Sequence, residues 1–183
     1  MFARTKRLTL RPGWAEDAPA LAAAIGQESV AHRLSRVPLP YTLADAAEWL
    51  ARPRAVTDLF FLVFLHDAGE TRLIGGVGLH PEDGELGIGY WYIPAAWGHG
   101  YATEAGLAVI DIARHTLGVT RLASRYHLEN PASGRVLRKL GFEPTGEGVH
   151  HPCLARGEPV PSVEYRLTRA AWAGEPAGEL MAA

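Results

Sequence analysis

Between Pro94 and Glu104 the chain reads Pro-Ala-Ala-Trp-Gly-His-Gly-Tyr-Ala-Thr-Glu, and this stretch holds the residue types best suited to chemistry. It joins a strand-like segment to a run with helical spacing. The first N–H groups of a helix have no partner within it and carry partial positive charge, so they can bind an anion. Gly98 and Gly100 bring no side chain, which lets an anion approach the backbone and makes unusual dihedral angles easy to reach. Ala102 keeps the first turn slim, and Thr103 adds a hydroxyl donor. Such a loop can cradle a pyrophosphate without a lysine. It is not a Walker motif, which ends in Gly-Lys-Ser/Thr, nor a strict dinucleotide fingerprint. Alone, it could equally be a glycine turn that opens a helix and does nothing more.

The elements around it follow from periodicity. Arg7 to Arg11 alternates charged and apolar residues like a half-buried strand, and Pro12-Gly13 ends it. Glu16 to Gln27 reads as a helix. Thr42, with Asp45 three residues on, predicts the start of a second helix that Pro53 stops. Leu59 to Leu65 has no polar face and predicts a buried strand. Strands are expected at Arg72 to Leu79 and Glu85 to Ile93, with turns at Asp67 to Glu70 and Pro81 to Gly84. A helix is expected over Gly100 to Thr116, then a strand over Arg121 to Tyr126. Asn130 reads as an N-cap, Pro131 as a first helical residue and Gly141 as the left-handed residue after the helix. Phe142 to Glu147 and Val163 to Leu167 are expected strands, with a loop over Gly148 to Pro161. These predict an α+β (mixed α/β) class, a central sheet with helices on its faces.

Size and composition bound the rest. The 183 residues suit one domain, expected over residues 1–172, and 48% are hydrophobic, enough for a core. Residues 173–183 are expected to form a flexible tail. A net charge of −2 argues against a surface built for nonspecific nucleic-acid or acidic-membrane binding. Cys153 is the one cysteine, so no intrachain disulfide forms. No apolar run follows Met1 to Arg7, and Leu59 to Leu65 falls far short of the roughly 20 residues that span a bilayer. A cytoplasmic protein is the expectation. His150, His151 and Cys153 do not make four ligands at zinc spacing, so no metal is expected.

Four segments, taken in order, carry a resemblance: Thr5 to Arg11, Glu85 to Trp91, Trp97 to Ala105, and Asn130 through Phe142. With them the chain resembles the GCN5-related N-acetyltransferase (GNAT) superfamily, and more closely its ribosomal-protein alanine acetyltransferase-like branch. The resemblance spans Thr5 to Trp172. It implies a mostly antiparallel twisted sheet in which the strand before the loop splays from Arg121 to Tyr126. It also implies acetyl-CoA as cosubstrate. The pyrophosphate would sit on Trp97, Gly98, His99, Gly100, Tyr101, Ala102 and Thr103. The pantetheine arm would pair with backbone of Trp91, Tyr92 and Ile93, and Asn130 and Ser133 would lie near it and the sulfur. The superfamily often has Gln or Arg where Trp97 stands, and a basic residue where His99 stands.

The implied reaction moves acetyl to a primary amine, on a protein N-terminus or a small molecule. The amine must attack uncharged. An α-amine, with a pKa near 7.7–8.0, needs less help than a lysine near 10.4. Glu85 is the first candidate base, followed by His127 and His80. Ser133 is the candidate to protonate the leaving thiolate, with Tyr126 as a weaker acid. A backbone N–H near Gly89 or Tyr90 would hold the acetyl oxygen. Arg135, Arg138 and Lys139 read as a solvated helix face that could approach phosphates. A small amine would favour a closed acidic pocket. A non-catalytic acyl-CoA-binding module of the same fold is the alternative, and a symmetric homodimer is allowed on general grounds.

Overall fold

The run Phe61 to Leu65 lacks a polar face because its strand is covered on both sides. Phe61, Val63 and Leu65 are buried in one core, and Leu62 and Phe64 in another. The computed structural model describes residues 1–67, 70–82 and 84–168. The expected tail at 173–183 lies outside them.

The strands are β1 (Ala3–Arg4), β2 (Leu8–Arg11), β3 (Phe60–Asp67), β4 (Glu70–Glu82), β5 (Glu85–Tyr92), β6 (Arg121–His127), β7 (Glu143–Cys153) and β8 (Glu158–Thr168). They form one sheet in the order β1-β2-β3-β4-β5-β6-β8-β7. Every pairing is antiparallel except β5 with β6, which touch in parallel at Gly87 and Ala123. The expected mostly antiparallel sheet with one splayed pair is therefore present.

One face of the sheet carries α1 (Ala18–Ile25), α2 (Glu28–Ala31) and α3 (Leu43–Ala51). Leu21, Ile25, Val30 and Ala46 pack there on Leu62, Phe64 and Trp91. The other face carries α4 (Tyr101–His115) and α5 (Pro131–Lys139). Ala105, Val109, Leu137 and Leu140 pack there on Val63, Val77 and Leu122. No helix among the described residues is long and apolar enough to cross a membrane.

The helix ends obey local chemistry. Thr42 Oγ1 accepts from the Asp45 amide at 3.2 Å, and Asp45 Oδ2 accepts from the Thr42 amide at 2.7 Å, a reciprocal capping box. Past α5, Gly141 takes φ +84° while the Phe142 amide donates to Leu137 O and the Gly141 amide to Arg138 O. That pair of bonds is the Schellman closure.

The expected loop over Gly148 to Pro161 is corrected: β7 and β8 run through it as a long hairpin that turns after Cys153. The prolines that suggested a loop are tolerated for a physical reason. Pro152 stands on the sheet's edge strand, and Pro159 and Pro161 lie beyond the last β6–β8 pair, His127 with Ser162. A missing N–H costs no central ladder bond there.

Candidate active site

Ser124 Oγ donates to Ile88 O at 2.9 Å, just past the single β5–β6 contact. Beyond that point the two strands part. The Ile93 amide donates to Ile74 O at 3.0 Å. Alternation along an antiparallel pair sends the amides of Trp91 and Gly89 toward β4 as well, and turns those of Tyr90 and Tyr92 toward the opening. This refines two expectations. Of the Trp91–Ile93 backbone, Ile93 is already satisfied by Ile74, and the amide facing the opening is that of Tyr90 rather than Gly89. A cavity of about 690 Å³ fills the parting and continues under α2 and α3.

The glycine loop closes one end. Pro94–Ala96 make a short 3₁₀ turn, then Gly98 (φ +79°) and Gly100 (φ +80°) swing the chain into α4. The Glu104 amide is the first to find an acceptor in the helix, Gly100 O at 3.1 Å. Amides ahead of it have none there. Trp97 donates its indole N–H to Tyr92 O at 2.7 Å, which pins the loop to the end of β5. Gly98, Gly100, Tyr101, Ala102 and Thr103 line the cavity with Trp91, Tyr92 and Trp97. His99 and Ile93 do not. The His99 ring stacks on Tyr101 at 5.5 Å, and its carbonyl accepts from Arg7 Nη1 at 3.0 Å.

Glu104 holds this loop to the β1–β2 turn. Its carboxylate accepts from Thr5 Oγ1 at 2.6 Å, the Arg7 amide at 2.9 Å and Arg7 Nε at 2.7 Å. Burial pushes its carboxyl up, but these donors outweigh burial and hold it below the usual carboxylate range. A depressed carboxyl contributes stability that is complete above its unfolded pKa, near 4.3, and is lost as pH falls through the lower folded value. Glu104→Gln is therefore expected to cost about 1–2 kcal/mol at pH 7 in urea unfolding, with the gap to wild type closing in acid. An equal gap at every pH would contradict it.

On the α4–α5 face stands a pair that sequence reasoning half missed. Tyr90 Oη donates to Ser133 O at 3.1 Å and lies 2.9 Å from Ser133 Oγ. Burial pushes the Tyr90 hydroxyl well above its ordinary range, so it stays a neutral donor. Both residues line the cavity, as does Asn130. Asn130 occupies the N-cap position of α5, yet its side chain makes no capping bond. Gly134 lets α5 sit close, because a Cβ there would lie 2.7 Å from the Tyr126 ring.

On the opposite face His80 Nε2 meets Glu82 Oε2 at 2.6 Å, above Gly87 and Gly89. A Cβ at Gly87 would come within 3.1 Å of Glu82, and one at Gly89 within 3.1 Å of the His80 ring. Arg125 also donates to Glu82. Burial pushes the Glu82 carboxyl up, but the His80 hydrogen bond and the charges of Arg125, His80 and Arg36 hold it below the ordinary range. His80, Glu82 and Arg125 line the cavity. Glu82 is a residue the sequence reading left in a turn.

The structure does not bring Glu85 to this place. Glu85 begins β5 at the closed end of the parting, between Arg121 Nε at 3.6 Å and Arg166 Nε at 3.4 Å, and does not line the cavity. His127 and Tyr126 do line it. His127 Nδ1 lies 3.2 Å from His32 O, so Nδ1 carries the proton and Nε2 is the free acceptor. Burial lowers its pKa, and the ring is neutral at pH 7. Arg135 and Lys139 line the cavity, whereas Arg138 donates to Tyr165 Oη at 3.1 Å. His151 contacts Arg125, and Cys153 is buried with its thiol 3.5 Å from Leu34 O. No cluster of three or more His, Cys, Asp or Glu suited to a metal occurs among the described residues.

Comparison with known proteins gives this geometry its class. The model of the acetyltransferase (GNAT) domain matches residues 7–143. The chain belongs to that family and is an N-acetyltransferase that uses acetyl-CoA as donor. It is 28% identical over 152 residues to the uncharacterized N-acetyltransferase p20 of Bacillus licheniformis, covering 78% of this chain and 82% of that one. With the uncharacterized N-acetyltransferase YoaA of Bacillus subtilis it shares 35% over 77 residues, 40% of this chain and 44% of that one. A solved GNAT-family acetyltransferase from Bacillus anthracis has the same fold, with a TM-score of 0.78, 23% identity and coverage of 93% of this chain and 99% of that one.

Proposed function

We propose that the chain transfers acetyl to a primary amine, on a peptide N-terminus or a small molecule, by direct attack while donor and acceptor share one cavity. The observation that carries this is the continuity of that cavity, from the glycine loop through the β5–β6 parting to the space under α2 and α3. Cys153 is not among its lining residues, so no thiol there would take the acetyl group first.

The residues fit acetyl-CoA at successive points. Unpartnered amides at the start of α4 suit a pyrophosphate, and the side-chain-free Gly98 and Gly100 admit it. Tyr92 backbone and the uncommitted Asn130 amide suit the pantetheine arm. The thioester then falls between Tyr90 and Ser133 on one face and His80 on the other. Acetyl-CoA supplies an activated acyl carbon: a C–N bond forms as the C–S bond breaks.

Each proton has a holder. A carboxylate can only accept, so Glu82 fixes the His80 proton on Nε2 and leaves Nδ1 as the base for the amine proton. His80, the third candidate from sequence, thus displaces Glu85. The Tyr90 amide is placed to donate to the acetyl oxygen as it gains charge. Ser133 Oγ, 2.9 Å from Tyr90 Oη, is the donor that hydrogen-bonds the departing thiolate, which takes its proton from solvent as His80 returns the amine proton there. His127, neutral and with Nε2 open, stands deeper as a second acceptor.

The test is thiol release from acetyl-CoA over a panel of amines and peptide N-termini, with calorimetric titration of CoA, ATP and NAD alongside. CoA binding with amine-dependent thiol release is expected. CoA binding with no turnover would leave a binding module, and binding of ATP or NAD alone would overturn the reading. Ser133→Ala is expected to lower kcat by about 10–100-fold with little change in acetyl-CoA affinity, read in the same assay.

A further inference from the structure

If the cavity hosts acetyl transfer, the reading on which this inference rests, its far end under α2 and α3 is the acceptor's end. The body of that end is apolar, with Tyr41, Trp49 and Phe60 in the wall. Its charge is lopsided: Arg36, Arg52 and Arg54 line it against Asp58 and Glu82, while Arg33 lines the cavity toward the glycine loop. This is the reverse of the acidic pocket expected for a small amine.

The four arginines are not equally answered. Arg52 pairs with Glu48 at 3.1 Å. Arg54 lies over the Trp49 ring at 4.2 Å, and its nearest carboxylate is Asp58 at 3.9 Å. Burial lowers its pKa, since Asp58 does not make good the lost water. Arg36 is 3.9 Å from Glu82, whose oxygens already receive His80 and Arg125. Arg33 sits over Trp97 at 4.6 Å and donates to Ser29 O, with no ion pair among the described residues. The part-buried Arg54 charge, with only a distant counter-charge, favours a ligand that completes the pair, and Arg36 adds an exposed charge beside it on the cavity wall.

We infer that the acceptor carries an anionic group, a carboxylate or a phosphate, on the same molecule as its primary amine, received by Arg36 and Arg54 while the amine lies at His80. Attraction and exclusion then work together. The arginines draw the anion and repel polycations, whose extra ammonium groups find Asp58 and Glu82 already shared. The aromatic wall takes the apolar part between the two charged groups.

Thiol release with acetyl-CoA tests this on matched acceptors: a dipeptide as its free acid and as its C-terminal amide, an aminoalkyl phosphate and the corresponding amino alcohol, and a linear polyamine. The anionic member of at least one pair is expected to exceed its neutral partner in kcat/KM by about tenfold, and the polyamine to be poorest. Which pair shows the larger ratio identifies the anion. The Arg36 side chain is 70% exposed, so substitution there spares the core. Arg36→Gln should bring the ratio to within about threefold of unity, and Arg36→Glu should lower it further. Ratios near unity in wild type, a preferred polyamine, or ratios that ignore both Arg36 variants would overturn the inference while leaving acetyl transfer intact. Absence of thiol release with every acceptor is a different result, which removes the transferase reading and this one together.

Discussion

His80→Gln is expected to lower kcat by about 10²–10⁴ while acetyl-CoA affinity stays within about twofold of wild type. The size follows from the proposed role, in which the ring takes the amine proton and leaves the glycine loop untouched. Glu82→Gln is expected to be intermediate, about 10–100-fold, because an amide carbonyl can still accept from Nε2 but no longer offsets the charge the ring gains. It also leaves Arg125, whose side chain is 13% exposed, with a neutral group where an anion stood. Some stability is lost with it, so kcat must be read on protein shown folded by its urea transition. The sign with pH is fixed. The Glu82 carboxyl lies below its ordinary range, so its support is complete above the ordinary carboxylate pKa and fails as pH drops through the lower folded value. Glu85→Gln is the decisive comparison. Glu85 lies between Arg121 and Arg166 outside the cavity, and its variant should keep kcat within about threefold. Loss at Glu85 with retention at His80 would reverse the assignment.

One proline hides Glu82 from the sequence. Pro81-Glu82-Asp83-Gly84 has the composition of a turn, so the strand was expected to stop at Leu79. In the structure β4 continues to Glu82, with Pro81 opposite Leu86. The missing Pro81 N–H points away from β5, at a level past the last β3–β4 pair, Phe60 with Gly78. No bond is lost, and the strand carries Glu82 over Gly87. The same blindness hid the β7–β8 hairpin, whose prolines lie at the edge or beyond the central ladder. Where side chains alone set the outcome, the sequence was legible. The Thr42 capping box, the left-handed Gly141 and the doubly buried β3 each follow from local types and spacing. Tyr90 was legible in principle: it shares strand parity with Ile88 and Tyr92 and so faces α5, yet its partner Ser133 is 43 residues away. The grouping of the arginines was not legible. Arg33, Arg36 and Arg54 come from two segments that only the fold lays over one cavity.

Gly98→Ala and Gly98→Asn together separate the two roles the loop's composition allows. At φ +79° an alanine is strained by about 1–2 kcal/mol, whereas asparagine tolerates the left-handed region. A Cβ at Gly98 meets no protein atom within 4 Å, so the fold itself offers no clash. If the loop merely opens α4, alanine costs that strain, asparagine costs little, and neither disturbs acetyl-CoA beyond the stability change. If the pyrophosphate lies against this backbone, either side chain stands where the phosphate oxygens approach and breaks one or two charge-assisted hydrogen bonds, each about 1.5–3 kcal/mol. The expected result is a rise in the acetyl-CoA Kd of about 10²-fold for both variants, with a stability loss for alanine alone. Gly100 offers a harsher version, since it is the left-handed residue on which α4 begins and its Cβ would touch Arg7 Nη2 at 3.7 Å. Arg7 is also tied to Glu104, so a Gly100 variant mixes loop and clamp, and the cleaner reading comes from Gly98. An asparagine variant that is stable and binds acetyl-CoA like wild type would return the loop to a bare helix-opening turn.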